Sequence, residues 1–235
     1  MFDPSGGLRY HWTALRRRND AWLPHRRSVR TFLSEWAPRA SKLILVGPSA
    51  GYSLPSEFLA PFQQVLVIEP DPLARRLLTQ RFEIGFQWVR SPKELTLQLD
   101  RSYAVLFCNM LGQLSLSPAM ENPESRGQFH RLAERVQLLC PWASFHDRLS
   151  IDGDSVSDLA DLRSLDSNLE LKSAQRLDAD TLALRFLPGA RVAYEHDAEE
   201  WFPALKEGQN FKYWLWNLRP DQHHVIEATF SRSRT

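Results

Sequence analysis

Cysteine is nearly absent from this chain: its 235 residues include two, Cys108 and Cys140. Neither belongs to a C-x-x-C pair, so the sequence offers no disulfide framework and no paired-thiolate metal site. Both are expected to be buried thiols. No stretch approaches the roughly 20 consecutive apolar residues that a membrane-spanning helix needs. Residues 1–7 lack the basic and apolar regions of a secretory signal. These absences point to a reducing cytoplasm and away from a membrane. The histidines have no metal-binding spacing either. His11, His25, His130 and His196 form no H-x-x-x-H or mixed Cys/His pattern, so no structural metal is expected. His223 and His224 fall on a predicted hairpin, where exposure is expected.

A strong charge of one sign is also missing, since the net charge is +1. That value hides an asymmetry. Residues 9–42 hold nine Lys/Arg against Asp20 and Glu35, a local charge of +7, so the remainder carries −6. A basic segment interleaved with Tyr10, Trp12 and Trp22 is open to nucleic-acid binding. The same segment also spaces Trp12, Leu15, Val29, Phe32, Leu33 and Trp36 as a helix core face does, which favours packing. Apolar residues at 43% and charged residues at 24% are globular values and exclude a disordered chain.

The segment 8–38 reads as helical with a break near Pro24. Beyond it the periodicity changes. Leu43–Val46 and Val65–Ile68 are short continuous apolar runs, as in strands buried on both faces of a parallel sheet. Asp71-Pro72 reads as an N-cap followed by a proline at the first helical position. Phe86–Val89, Tyr103–Cys108 and Trp142–Phe145 continue the strand series. Helices are predicted over 92–99 and 126–140. This alternation specifies a Rossmann-like α/β fold. We expect a three-layer α/β/α sandwich with a mostly parallel seven-stranded sheet. An N-terminal helical segment, 1–40, would precede the main domain, 41–235.

Within 151–207, a helix followed by an insertion or cap is expected, with strand-like runs at Leu169–Leu171, Thr181–Phe186 and Arg191–Tyr194. Phe211–Leu218 and Val225–Phe230 read as an antiparallel C-terminal hairpin. Trp201, Phe202, Tyr213, Trp214 and Trp216 make this end aromatic-rich, and core packing is the favoured reading.

The most informative motif is Gly47-Pro48-Ser49-Ala50-Gly51 at the end of the first strand. Glycine there allows a left-handed turn and close backbone approach to a ligand. Glu69 ends the next strand, 18 residues after Gly51. A carboxylate in that position suits the ribose hydroxyls of an adenosine. A dinucleotide fingerprint would need glycine at Ser49 and Tyr52, and no phosphate-loop lysine follows.

The set resembles class I S-adenosylmethionine-dependent methyltransferases. Their first motif, G-x-G-x-G, corresponds to residues 47–51, and their second-strand acid corresponds to Glu69. Their strand-four motif corresponds to Asn109-Met110-Leu111-Gly112. The resemblance implies S-adenosylmethionine as cofactor, held by Gly47, Pro48, Ser49, Ala50, Gly51, Glu69, Pro70, Asn109, Met110 and Leu111. It implies methyl transfer to an acceptor, with a small molecule favoured. Asn109 is the candidate for orienting that acceptor, and His146, beside Asp147 after strand five, is the candidate base. Leu45 and Ser49 depart from the family, which often has an acid two residues before the first glycine and glycine in the middle of the motif. They motivate an alternative, a non-catalytic cofactor-binding or scaffold protein. Tyr52 is expected to pack against the first helix or to cover the ligand.

Overall fold

Leu43 and Leu45 face one side of the sheet, while Ile44 and Val46 face the other. All four are buried, which is why the first strand lacks polar alternation. This strand, β1 (Lys42–Val46), is central in the computed structural model of the protein. The structure describes residues 7–152, 165–166, 168–188, 192 and 194–231. The helix expected after residue 150 falls largely outside the described residues, as does part of the Arg191–Tyr194 run.

Two helices, α1 (Gly7–Arg17) and α2 (Leu23–Trp36), come first. Pro24 sits in the first turn of α2, where its missing N–H costs nothing, so the chain breaks before it and not at it. After β1 come α3 (Ser56–Leu59), β2 (Gln64–Ile68), α4 (Pro72–Arg81), β3 (Phe86–Trp88), α5 (Pro92–Gln98) and β4 (Tyr103–Cys108). Asp71 caps α4 by accepting the Leu73 N–H at 2.8 Å. Two 3-10 turns (Leu111–Leu116 and Pro118–Glu121) lead to α6 (Pro123–Leu139) and the long β5 (Trp142–Asp152). The rest is β6 (Glu170–Ser173), α7 (Ala179–Phe186), β7 (Tyr194–Glu195), the turn Pro203–Glu207, β8 (Gln209–Arg219) and β9 (Gln222–Ser231).

The strand order is β3-β2-β1-β4-β5-β9-β8-β6, with β7 on β5. The first five strands are parallel, and β9, β8 and β6 follow antiparallel. This is the expected Rossmann-like sheet with its C-terminal hairpin. Among the described residues it has nine strands where seven were expected, because Glu170–Ser173 and Tyr194–Glu195 supply β6 and β7. Thr181–Phe186, expected as a strand, lies in α7. Asp178 accepts the Thr181 N–H at 2.7 Å as its N-cap, and Leu182 and Phe186 share the buried face at helical spacing.

Three cores hold the layers. One joins α1–α4 to one sheet face, and the second joins α5 and α6 to the other. The third lies under the extended ends of β5, β8 and β9 and is closed by α7. Trp22, at the N-cap of α2, meets Trp216 of β8 at 5.0 Å between ring centroids, edge to face, so the N-terminal helices pack directly on the hairpin. Trp201, Phe202, Tyr213, Trp214 and Trp216 are all buried. No helix among the described residues is long and apolar enough to cross a membrane.

Candidate functional site

Between β1 and β4 the chain direction of strand addition reverses, because β1 is followed by β2 on one side and has β4 on the other. In open α/β sheets, ligands bind in the crevice beyond the strand C-termini at such a switch point. Two left-handed segments flank it here. Gly47, Ser49 and Gly51 have φ of 65°, 51° and 66°, and Asn109, at the end of β4, has φ 50°. Non-glycine residues adopt this region at a cost, so Ser49 and Asn109 need compensating contacts. The Ser49 N–H donates to Glu69 Oε2 at 2.8 Å, and the Asn109 N–H donates to the Phe145 carbonyl at 2.7 Å.

The glycines are demanded by protein packing. A Cβ on Gly47 would lie 2.8 Å from Met110 Cβ, and one on Gly51 would lie 2.6 Å from Leu78 Cδ1 and 2.7 Å from Phe82 Cε2. Gly51→Ala is therefore expected to lose about 2–4 kcal/mol of stability, from positive φ together with overpacking. Urea unfolding would measure it as a lower midpoint at unchanged slope.

Glu69 is 3% exposed at the end of β2. Its two oxygens accept the N–H groups of Ser49 and Asp71, at 2.8 and 3.1 Å. Burial raises its pKa, and these backbone donors oppose the rise. Two backbone bonds leave acceptor capacity on the carboxylate. Ser49 Oγ and Asn109 Oδ1 are buried with no hydrogen-bond partner among the described residues. Both oxygens can accept a hydrogen bond from a ligand or from water. Pro48, Ala50 and Leu111 are buried around this loop, Met110 is partly buried against Gly47, and Pro70 is exposed.

Helix α1 lies over this edge. His11 reaches Tyr52 OH at 3.3 Å through Nδ1 and Asp71 Oδ2 at 3.4 Å through Nε2. Tyr52, 4% exposed, also meets Tyr10 and Trp22, so it packs against the N-terminal helices. Burial raises the Tyr10 phenol pKa, and Tyr52, Asp147 and Glu69 raise it further.

His146 sits elsewhere in the fold. Its side chain is wholly buried, with Nδ1 2.9 Å from Ser144 Oγ and Nε2 3.3 Å from Glu227 Oε1. Arg176 Nε also donates to both oxygens of Glu227, at 2.8 and 3.0 Å. This setting ties β5 to β9 and differs from that of an accessible base. His146 and Asp147 follow one another on β5 and do not pair. Asp147 instead lies 3.5 Å from His224 Nδ1.

Asp147 leads to a cluster that local spacing did not signal. Asp147, His196 and His224 are all buried and offer ligand atoms within 4.8 Å of one another. The expectation of no metal rested on sequence spacing, whereas these residues come from β5, the segment after β7, and β9. His223 and His224, expected to be exposed, are 4% and 5% exposed. His224 packs on Trp216 of β8, and His223 Nδ1 lies 2.6 Å from Asn217 Oδ1. Burial lowers the His196 pKa, against the opposing influence of Asp147.

No family model matches the chain. No curated protein matches it either. Among solved structures, magnesium protoporphyrin IX methyltransferase from Synechocystis PCC 6803 with bound SAM is similar over 99% of both chains, at 12% identity and a TM-score of 0.46. The N-terminal domain of EvdMO1, in the presence of SAH and D-fucose, is similar over 89% of this chain and 82% of its own, at 16% identity and TM-score 0.39. The DhpI–SAH complex covers 96% of both chains, at 10% identity and TM-score 0.39.

Proposed function

We propose that the switch point beyond β1 and β4 binds S-adenosylmethionine and that the protein transfers its methyl group to a small-molecule acceptor. The observation that carries this reading is Glu69, buried at the end of β2 beside the left-handed 47–51 loop, with the unpartnered Ser49 Oγ and Asn109 Oδ1. A carboxylate with spare acceptor capacity suits a vicinal diol, and unpartnered buried oxygens suit ligand hydroxyl or ammonium donors. The residues present therefore fit this cofactor.

When bound, S-adenosylmethionine supplies an electrophilic methyl group on a sulfonium. Glu69 would accept from the ribose hydroxyls, and residues 47–51 would line the approach. Met110 and Leu111 would provide an apolar wall. Asn109 would orient the acceptor through its amide. Positioning of this kind accounts for much of the acceleration in a displacement that needs little covalent help. We assign no proton transfer to His146, because both its ring nitrogens face buried partners.

Calorimetry tests the proposal. S-adenosylmethionine and its demethylated product are each expected to bind one per chain. Glu69→Ala should weaken binding by about 1–3 kcal/mol, roughly 5- to 150-fold. No heat from either ligand at millimolar concentration would overturn the reading. The non-catalytic alternative is motivated by Leu45 and Ser49, which stand where the family often has an acid and the middle glycine of its first motif. Cofactor binding without turnover of any acceptor would support it.

The basic segment leaves room for an anionic acceptor. Arg26 and Arg81 have lowered pKa values, from burial and then from the neighbouring charge of Arg18. If nucleic acid is the acceptor, affinity should fall steeply as salt rises. Retention of affinity at high salt would exclude that class.

A further inference from the structure

We propose that Asp147, His196 and His224 form a binding site for one divalent transition-metal ion of the zinc or iron(II) class. The inference goes beyond methyl transfer and does not depend on it.

The donor set is two imidazole nitrogens and one carboxylate, brought within 4.8 Å of one another. Imidazole-rich sets of this kind suit zinc, iron, cobalt or nickel, whereas magnesium and calcium prefer all-oxygen sets. Ser150 Oγ lies among the donors, 2.7 Å from His196 Nε2 and 2.8 Å from His224 Nδ1. These distances show two ring nitrogens converging on one point. The hydroxyl has one proton and can donate to only one of them.

Surrounding groups orient these ligands. His196 Nδ1 lies 2.6 Å from the Gly112 carbonyl oxygen, which can only accept, so Nδ1 carries the proton and Nε2 presents a lone pair toward the cluster. A backbone carbonyl behind an imidazole is a recurrent outer-shell partner of a metal-binding histidine. Gln113 Nε2 donates to Asp147 Oδ2. Gly112 and Gln113 belong to the same turn, so the loop after β4 holds two of the three ligands. A Cβ on Gly112 would lie 2.4 Å from the Asp147 carbonyl oxygen, so the turn reaches β5 only because that residue is glycine.

Charge balance is the independent observation. Asp147 is 1% exposed, and its Oδ1 has no hydrogen-bond partner. Among the described residues, its one ion-pair neighbour is the His224 ring, at 3.5 Å, and no lysine or arginine reaches it. His224 Nε2 is also buried without a partner. Glu227, on the other face of the hairpin, shows the contrast: His146, Arg148 and Arg176 all approach it. A buried carboxylate without a cation is costly. A divalent ion held by Asp147 and the two imidazoles removes that cost.

The test uses the full chain stripped with a chelator and then titrated with Co(II), followed by its visible ligand-field absorption. Zinc content is counted after reloading. One ion per chain is expected, with a higher unfolding temperature for the loaded protein. Magnesium and calcium should not displace it. His196→Ala and His224→Ala should each weaken Co(II) affinity at least ~100-fold. His130→Ala, in α6, should leave it unchanged. Should either alanine variant fail to fold, His224→Gln provides a milder loss of the ligand nitrogen, and circular dichroism checks its fold. Absence of stoichiometric Co(II) and Zn(II) binding by the wild-type chain would overturn the proposal without any variant. So would affinity that is undiminished in folded histidine variants.

Discussion

Glu227→Ala is expected to destabilise the fold by about 3–5 kcal/mol, because it removes the buried carboxylate that His146, Arg148 and Arg176 share. Glu227 is 0% exposed on β9. Burial alone would raise its pKa. The His146 hydrogen bond and the charges of His146, Arg176 and Arg148 outweigh that and hold it below the usual carboxylate range. Arg176 makes two bonds to its carboxylate, at 2.8 and 3.0 Å, and Arg148 Nε stands 3.9 Å away. Removing the carboxylate leaves the Arg176 guanidinium, 16% exposed, with Glu199 as its remaining partner, and takes from His146 the carboxylate it faces. Glu227→Gln keeps the volume and part of the hydrogen bonding, so it should cost less than Glu227→Ala. Urea denaturation of the three proteins checks the order. A loss below about 1 kcal/mol for Glu227→Ala would show that the existing Arg148–Glu195 and Arg176–Glu199 pairs, or solvent, suffice for the arginines.

Acid is expected to weaken the protein through His25 before most carboxylates titrate. His25 is buried on α2, stacked on Trp216 at 4.4 Å, and its Nδ1 accepts the Trp214 indole N–H at 2.9 Å. That bond requires the neutral ring, whose Nε2–H then donates to Ser53 Oγ at 2.9 Å. Burial is the main cause that pushes its pKa down to about 3, with Asp147 opposing and His224 and Arg26 assisting. The unfolded ring binds its proton near pH 6.5, whereas the folded ring does so near 3. The stabilising contribution is therefore complete above about pH 6.5 and is lost as pH falls toward 3. The slope is about 1.4 kcal/mol per pH unit inside that window. His25→Gln should remove this slope between roughly pH 6 and 4 while keeping an acceptor for Trp214. Parallel stability–pH curves for wild type and variant would refute the assignment.

Much of the architecture was legible because it depends on local pattern. Leu43–Val46, Val65–Ile68 and Tyr103–Cys108 are apolar on both faces, and each is a parallel strand. The hairpin was legible because Arg219-Pro220-Asp221-Gln222 punctuates two strand-like runs. Misreadings occurred where pattern is ambiguous. A short apolar run such as Thr181–Phe186 suits either strand or helix by composition. The cap at Asp178 and the shared buried face of Leu182 and Phe186 favour the helix.

Of the candidate site, the glycine loop, Glu69 and Asn109 were legible, since a strand end followed by a turn and an acid is a sequential arrangement. Their backbone conformations and unpartnered atoms were not. Nor was the setting of His146. Alternation along β5 puts Ser144 and His146 on one face, but only the β5–β9 register brings Glu227 opposite His146.

By itself, the sequence determined the five parallel strands and the C-terminal hairpin, which of these strands are apolar on both faces, and that a glycine turn closes β1. These follow from residue type and from periods of two and 3.6. Tertiary structure alone decided that Asp147, His196 and His224 meet. Ser150 contacts partners 46 and 74 residues away in the chain. The register shift between Asp147 and Leu149 puts Ser150 on the face of Asp147, opposite His224. No local period encodes such a meeting, because strand register and the path of β7 are set by burial of the whole sheet.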